Sequence, residues 1–425
     1  MDASNTPPEH WEVATGWRIG GTPTTSTQPG AVAPPFAHGT CSPTSKNGRK
    51  EACSDRQGEG DEEVVISLGL LRTCFTERYG SHIPRMFHDL LVDLGQAFLA
   101  AREAAARPGA LLTPADISEN IPGDGDGLVG RGGGGGGGRG KAPVFHVTEY
   151  DVIRGRYPQS WEDHAGYIIP GGAASACGNE PWMLTLLDEV QGLRDSGRPV
   201  LAFCLGHQVL AQGLGGLVQP RAGTDRHYAL QESELLVSSL PPSPVVDAIV
   251  GAVAAVRRVK GGGGGEEGEG LPPPPLPPLP LPPLKLLYHH NDEVVKLPPG
   301  ATNIATSGRC EIHGMMMVVA NKAEGSTASQ DDAPSSSSSS TAGDPSTPNL
   351  LTFQAHPELN YEYGRGVMDG MLDGDIELGR LTHEQAGTLK EQVLAWDHQE
   401  FPVALELMRQ LFAPIVPRSH GGELQ

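Results

Sequence analysis

The stretch Val200-Leu201-Ala202-Phe203-Cys204-Leu205-Gly206-His207-Gln208 decides how this chain folds. The apolar run over 199–203 has no polar alternation, so it reads as a strand buried on both faces. Residues 206–214 read as a helix that follows it at once. A cysteine stands at the joint. A sharp strand-to-helix turn holds a nucleophile clear of a sheet, and the helix N-terminus beyond it favours a thiolate. The backbone N–H of Leu205 would point to where an oxyanion forms. Taken alone, Cys204 is equally well an ordinary buried strand-end cysteine.

Working outward, strands are expected at 64–68, 144–147, 166–169 and 350–353, each short and apolar. Helices are expected at 83–106, where Met86, Leu90, Leu91, Leu94, Phe98 and Leu99 keep near 3.6-residue spacing, and at 181–193, opened by Glu180 and Pro181. Strands that alternate with helices and carry unbroken apolar cores indicate an α/β fold: a mostly parallel open sheet with helices on both faces. Short strands in quick succession at 229–237, 285–288, 303–305 and 315–319 suggest an antiparallel extension. Helices near 363–372, 383–396 and 398–411 close the chain.

Composition bounds the rest. The 425 residues include 57 Gly and 38 Pro, far above average usage. Low-complexity stretches at 1–61, 123–141, 259–284, 322–349 and 418–425 are expected to be disordered. They leave one folded unit within 62–417, large enough for a single core. Insertions of this kind cost little, since doubling a flexible loop adds only about 0.6 kcal/mol. The proline block at 271–284 reads either as a stiff spacer or as a ligand for a protein partner that recognises polyproline II.

The 51 acidic residues outnumber the 31 basic ones, for a net charge of −20, which argues against a nucleic-acid partner. No apolar run approaches the roughly 20 residues that span a bilayer, so no membrane role is expected. The six cysteines are scattered without CxxC spacing, which suggests neither a zinc site nor a disulfide framework. A cytosolic location fits best, with an organelle-targeting segment less well supported. The near P-loop ending Gly140-Lys141-Ala142-Pro143 lacks the Ser/Thr that would bind Mg²⁺. No cofactor or metal is therefore expected.

A thiolate nucleophile needs a base, and the base needs an orienting group. Phe353-Gln354-Ala355-His356-Pro357-Glu358 supplies both after an apolar strand. His356 then lies at a strand end, where open α/β sheets place their sites, and Glu358 is close enough to fix its ring. Ile169-Pro170-Gly171-Gly172-Ala173-Ala174-Ser175 ends another strand with paired glycines whose N–H groups can approach a substrate. With the Leu205 N–H, Gly171 or Gly172 would complete an oxyanion hole.

In this order the three pieces resemble the class I, triad-type glutamine amidotransferase domain. Further matches are Pro181-Trp182, Gln212-Gly213-Leu214-Gly215-Gly216, His290-Asn291-Asp292-Glu293-Val294 and Leu297-Pro298-Pro299-Gly300-Ala301. Glu77-Arg78-Tyr79-Gly80 before Met86-Phe87 resembles the opening of the stand-alone, GMP-synthase-like branch, and within it the chain is similar to plant γ-glutamyl peptidases. The resemblance implies a flavodoxin-like fold with Cys204 as nucleophile, His356 as general base and acid, and Glu358 as its orienter. It further implies oxyanion donors at Gly171 or Gly172 and Leu205, and contact between Gln208 and the glutamyl moiety. His290 and Asp292 match a family motif to which no role is attached. One position departs: where the family has glycine two residues before the cysteine, this chain has Ala202.

The implied activity is hydrolysis of a γ-glutamyl amide, glutamine or a γ-glutamyl peptide such as glutathione or its conjugates, through a γ-glutamyl thioester, releasing glutamate. Two alternatives stand beside it. One is a glutaminase subunit that passes ammonia to a separate synthetase partner; the other is a catalytically inactive binding or regulatory module.

Overall fold

The computed structural model describes residues 9–13, 64–74, 83–105, 141–221, 227–236, 246, 283–318, 348–359, 362–396 and 401–417. Twelve strands and six helices of eight or more residues lie among them. In chain order they are β1 Glu9–Val13, β2 Val65–Arg72, α1 Ile83–Ala105, β3 Val144–Asp151, β4 Gly166–Ile169, α2 Pro181–Asp195, β5 Val200–Phe203, α3 Leu205–Gly213 and β6 Leu217–Pro220. There follow β7 His227–Leu235, β8 Leu284–His290, β9 Asp292–Lys296, β10 Ala301–Thr306, β11 Gly314–Met317, β12 Leu350–Phe353, α4 Glu362–Glu377, α5 His383–Leu394 and α6 Phe401–Phe412.

Ten strands form one mixed sheet in the order β1-β3-β2-β4-β5-β12-β11-β10-β7-β8. From β3 to β12 the neighbours run parallel; β11, β10, β7 and β8 extend the sheet antiparallel beyond β12. The expected parallel sheet with an antiparallel extension is borne out. The unbroken apolar strands are explained by two separate cores. Leu201, Phe203, Leu351 and Phe353 turn to one face with α1, α4, α5 and α6. Val200, Ala202, Tyr167 and Ile169 turn to the other with α2 and α3. Alternate side chains of one strand thus enter different cores, and neither face is left to solvent.

Three departures from the sequence reading bear on the site. First, β2 and β3 run four residues past their expected ends, to Arg72 and Asp151. The parallel register sets Arg72 beside Asp151 and Leu70 beside Glu149, and the buried guanidinium pairs with both Glu149 and Asp151. Mutual neutralisation lets charged residues continue a strand inside the protein. Second, β6 and β9 form a separate two-stranded sheet, too short to announce itself by periodicity. Only Asn291 separates β9 from β8. Third, Glu9–Val13, inside the N-terminal stretch expected to be disordered, pairs antiparallel with β3 at one end of the sheet. The rest of that stretch, the proline block, the glycine tract, the Glu77–Gly80 match and most of the other low-complexity segments lie outside the described residues.

The strand order reverses between β2 and β4: β3 lies on one side of β2, and β4, β5 and β12 on the other. Open α/β sheets bind ligands at the carboxyl ends of strands near such a reversal. Thr73, Gly171, Cys204 and His356 all sit there, just beyond β2, β4, β5 and β12.

Candidate active site

Cys204 caps the N-terminus of α3 with φ 45° and ψ −105°. Among the described residues it is the one non-glycine residue with positive φ, a conformation that costs of order 1–3 kcal/mol. Its neighbours enforce the turn. The Cys204 N–H donates to the Phe353 carbonyl at 2.8 Å, and its own carbonyl accepts from the Gln208 N–H, at 3.1 Å. The backbone is therefore held from the strand side and from the helix side at once. Two residues on, a Cβ at Gly206 would lie 2.3 Å from the Ile169 carbonyl oxygen, so only glycine lets α3 start this close to β4. Ala202 is fully buried among the α2/α3 core residues, where its methyl is accommodated.

β12 delivers the imidazole. The His356 N–H donates to the Leu287 carbonyl at 2.8 Å, which fixes the residue against β8. Its Nδ1 lies 2.7 Å from Glu358 Oε1, and both side chains are buried. The Cys204 side chain is the other ionisable neighbour of the ring. Burial by itself pushes the His356 pKa down; the negative charge of a Cys204 thiolate and of Glu358 outweighs it and holds the imidazole well above its ordinary value.

The glycine turn lies over this pair. A Cβ on Gly171 would come within 2.6 Å of His356 Cε1 and 3.3 Å of the Cys204 Cβ, so the turn, the thiol and the imidazole occupy one contact zone. Thr73 Oγ1 donates to the carbonyls of Pro170 and Gly171, at 3.1 and 3.0 Å. These bonds turn the carbonyls away and orient the peptide planes. Gly171→Ala is accordingly expected to lower kcat/KM at least 100-fold, since a misplacement near 1 Å costs that much. Circular dichroism and the thermal midpoint check that the fold persists.

The remaining sequence candidates gather on the α3 side. Gln208 Nε2 donates to the Asp292 carbonyl at 2.8 Å and to Gln354 Oε1 at 3.1 Å. His290 Nδ1 lies 2.9 Å from the same Asp292 carbonyl, and the Asp292 carboxylate accepts from Ser175 Oγ. Gln208, His290 and Asp292 thus form one polar cluster around the β8–β9 turn, and Ser175 ties it to the glycine turn.

Sequence reading missed the opposite flank. A cavity of about 170 Å³ opens beside His356 and Glu358, walled by α1 and α4. Cys74 and His289 line it. Cys74 Sγ donates to the Gly171 carbonyl at 3.5 Å, and burial pushes its thiol up to about 12. His289 accepts a 3.7 Å contact from Cys204 Sγ on its carbonyl, while its Nε2 meets Asp375 Oδ2 at 2.8 Å. Burial alone would raise the Asp375 pKa; hydrogen bonds from His289 and Arg380 overcome it and hold the carboxyl at about 2. The one available signal was strand alternation: in β8 adjacent His289 and His290 must face opposite ways, so the pair cannot serve the same flank. Among the described residues no group of three or more His, Cys, Asp or Glu could hold a metal, and no helix is long and apolar enough to cross a membrane.

The arrangement gathers a cysteine side chain, an imidazole oriented by a carboxylate and a glycine turn at the open N-terminus of α3. Over 227 residues, 53% of this chain and 66% of the relative, the sequence is 23% identical to γ-glutamyl peptidase 4 of Arabidopsis thaliana. The chain is similar to the γ-glutamyl peptidases. γ-Glutamyl peptidase 5 of the same plant matches at 26% over the same shares. The glutamine amidotransferase-like protein chyE of Penicillium rubens matches at 24%, over 52% of this chain and 66% of its own length. These alignments thus span just under two thirds of the γ-glutamyl peptidase-like relatives. A crystal structure of a glutamine amidotransferase from Thermotoga maritima superposes with a TM-score of 0.41 and 13% identity, covering 83% of this chain and 99% of that one. No family model matches.

Proposed function

We propose that this chain hydrolyses γ-glutamyl amides with Cys204 as nucleophile, His356 as general acid and base, and Glu358 as the group that orients the imidazole. The observation that carries the reading is the His356 ring, bonded to the Glu358 carboxylate and gathered with the Cys204 side chain against Gly171.

The Cys204 thiolate attacks the γ-carbonyl carbon, forming a C–S bond, and the carbonyl electrons move onto oxygen. The N–H groups of Leu205 and of Gly171 or Gly172 receive that oxyanion. Leu205 opens α3, so its N–H has no partner carbonyl within the helix. Collapse breaks the C–N bond as the His356 imidazolium gives its proton to the departing amine. The neutral imidazole then takes a proton from water, which attacks the thioester; the C–S bond breaks, releasing glutamate and restoring the ion pair. Gln208, His290 and Asp292 hold the polar flank on which the glutamyl head, with its own ammonium and carboxylate, is placed.

A panel of glutamine and γ-glutamyl peptides, assayed for free glutamate, tests this. Turnover is expected, and hydroxylamine is expected to intercept the acyl group as γ-glutamyl hydroxamate. Absence of both would favour an inactive binding module. A second reading, a glutaminase subunit with a synthetase partner, draws on similarity to the pyridoxal 5'-phosphate synthase subunit PdxT of Desulforamulus reducens, 31% identical over 105 residues, 22% of this chain and 56% of that one. It predicts that glutamine alone among the panel is cleaved.

A further inference from the structure

The two flanks of Cys204 differ in chemistry, and the difference points to what leaves. On the α3 side stand Ser175, Gln208, His290 and Asp292, joined by hydrogen bonds. On the α1/α4 side the cavity wall is formed by Ile83, Met86, Val367, Met371 and Leu378. Leu378 lines the cavity and is 57% exposed.

The cavity touches His356 itself and the Gly171-Gly172 turn. In the hydrolase reading above, on which this inference rests, the imidazolium must reach the leaving nitrogen. The substituent on that nitrogen therefore lies beside the ring. Ammonia would leave such a cavity unfilled. About 170 Å³ is enough for an aromatic ring, since an apolar cavity near 150 Å³ holds benzene.

We infer that the Ile83–Met86–Met371–Leu378 cavity is the leaving-amine pocket, and that it selects γ-glutamyl amides whose departing amine carries an apolar side chain of leucine or phenylalanine size. The polar partners at its edge are His289, Asp375 and Arg380, already bound to one another; they fasten α4 to β8 and so set the distance of the apolar wall from His356. A pocket of this kind discriminates by buried hydrocarbon, about fourfold in kcat/KM for each methylene removed from water.

The test measures kcat/KM of the full chain for γ-glutamyl-leucine, γ-glutamyl-phenylalanine, γ-glutamyl-glycine and glutamine. The leucine and phenylalanine compounds are expected to exceed the other two at least tenfold. Met371→Trp, which fills the cavity, is expected to reduce the leucine-to-glycine ratio at least tenfold. Leu378→Asp alters an exposed position that the fold does not need, and is expected to reduce the ratio at least threefold. Equal kcat/KM across the four substrates, or a ratio that neither variant changes, overturns the pocket assignment while leaving the hydrolase reading in place. If no substrate is cleaved and a glutamine-analogue electrophile does not label Cys204, the hydrolase reading itself fails and the pocket assignment with it.

Discussion

Replacing Cys204 with alanine is expected to reduce γ-glutamyl hydrolysis at least 10⁴-fold, the scale on which nucleophile removal acts in hydrolases of this logic. A glutamine-analogue electrophile such as diazo-oxo-norleucine is expected to modify Cys204 selectively, with peptide mass spectrometry as the readout. Burial raises the thiols of Cys74, Cys177 and Cys310, which keeps them protonated and poorly nucleophilic. The backbone supplies a second measurement. A buried cysteine that served only packing would cost stability when truncated. Cys204 instead holds φ 45°, which glycine adopts without strain. Cys204→Gly is therefore expected to abolish turnover while holding or raising stability by up to about 1 kcal/mol in denaturant titration. Full turnover in either variant would refute the nucleophile assignment.

The second large effect concerns the imidazole. His356→Ala is expected to cost about 10⁴-fold in kcat, and Glu358→Gln between about 10² and 10⁴, because the amide fixes the wrong tautomer. The distinguishing observation is the pH profile of kcat/KM, which reports the free enzyme. Negative charge on both sides of the ring raises the His356 pKa, so the imidazolium that protonates the leaving amine persists through pH 6.5. Activity is expected to stay level there and to decline only at higher pH. Glu358→Gln removes one of the two charges and is expected to move that alkaline decline to lower pH. A pair that only supported the fold would leave the position of the limb unchanged. The same shift has a stability sign. A histidine raised in the folded state contributes stabilisation fully present below its unfolded value near 6.5, and the contribution is lost as pH rises through the folded value.

Much of this was legible along the chain, for identifiable reasons. A strand such as Val200–Phe203 is apolar on both faces because two cores compete for its alternate side chains, and that leaves a continuous run; Leu350–Phe353 is interrupted only by Thr352, whose hydroxyl bonds His207. The cysteine elbow and the histidine after β12 were legible because each abuts such a run. Charged strand ends were not: Arg72 and Asp151 look like terminators until the parallel register pairs them. Nor was the role of the β8–β9 turn, where one residue transfers the chain from the large sheet to the small one.

The amino-acid order by itself determined that a thiol, an imidazole and a glycine turn would each stand at the end of a buried strand, because apolar runs set strands and strands end where polar or small residues begin. Only the tertiary structure decided which flank of Cys204 is polar and which is apolar. Ile83 and Met86 come from α1, Met371 from α4 and Leu378 from just beyond it, nearly 300 residues further along the chain, and no local pattern encodes that they close one cavity. The sheet order brings them together, placing α1 and α4 on the same face and the Gln208 cluster on the other.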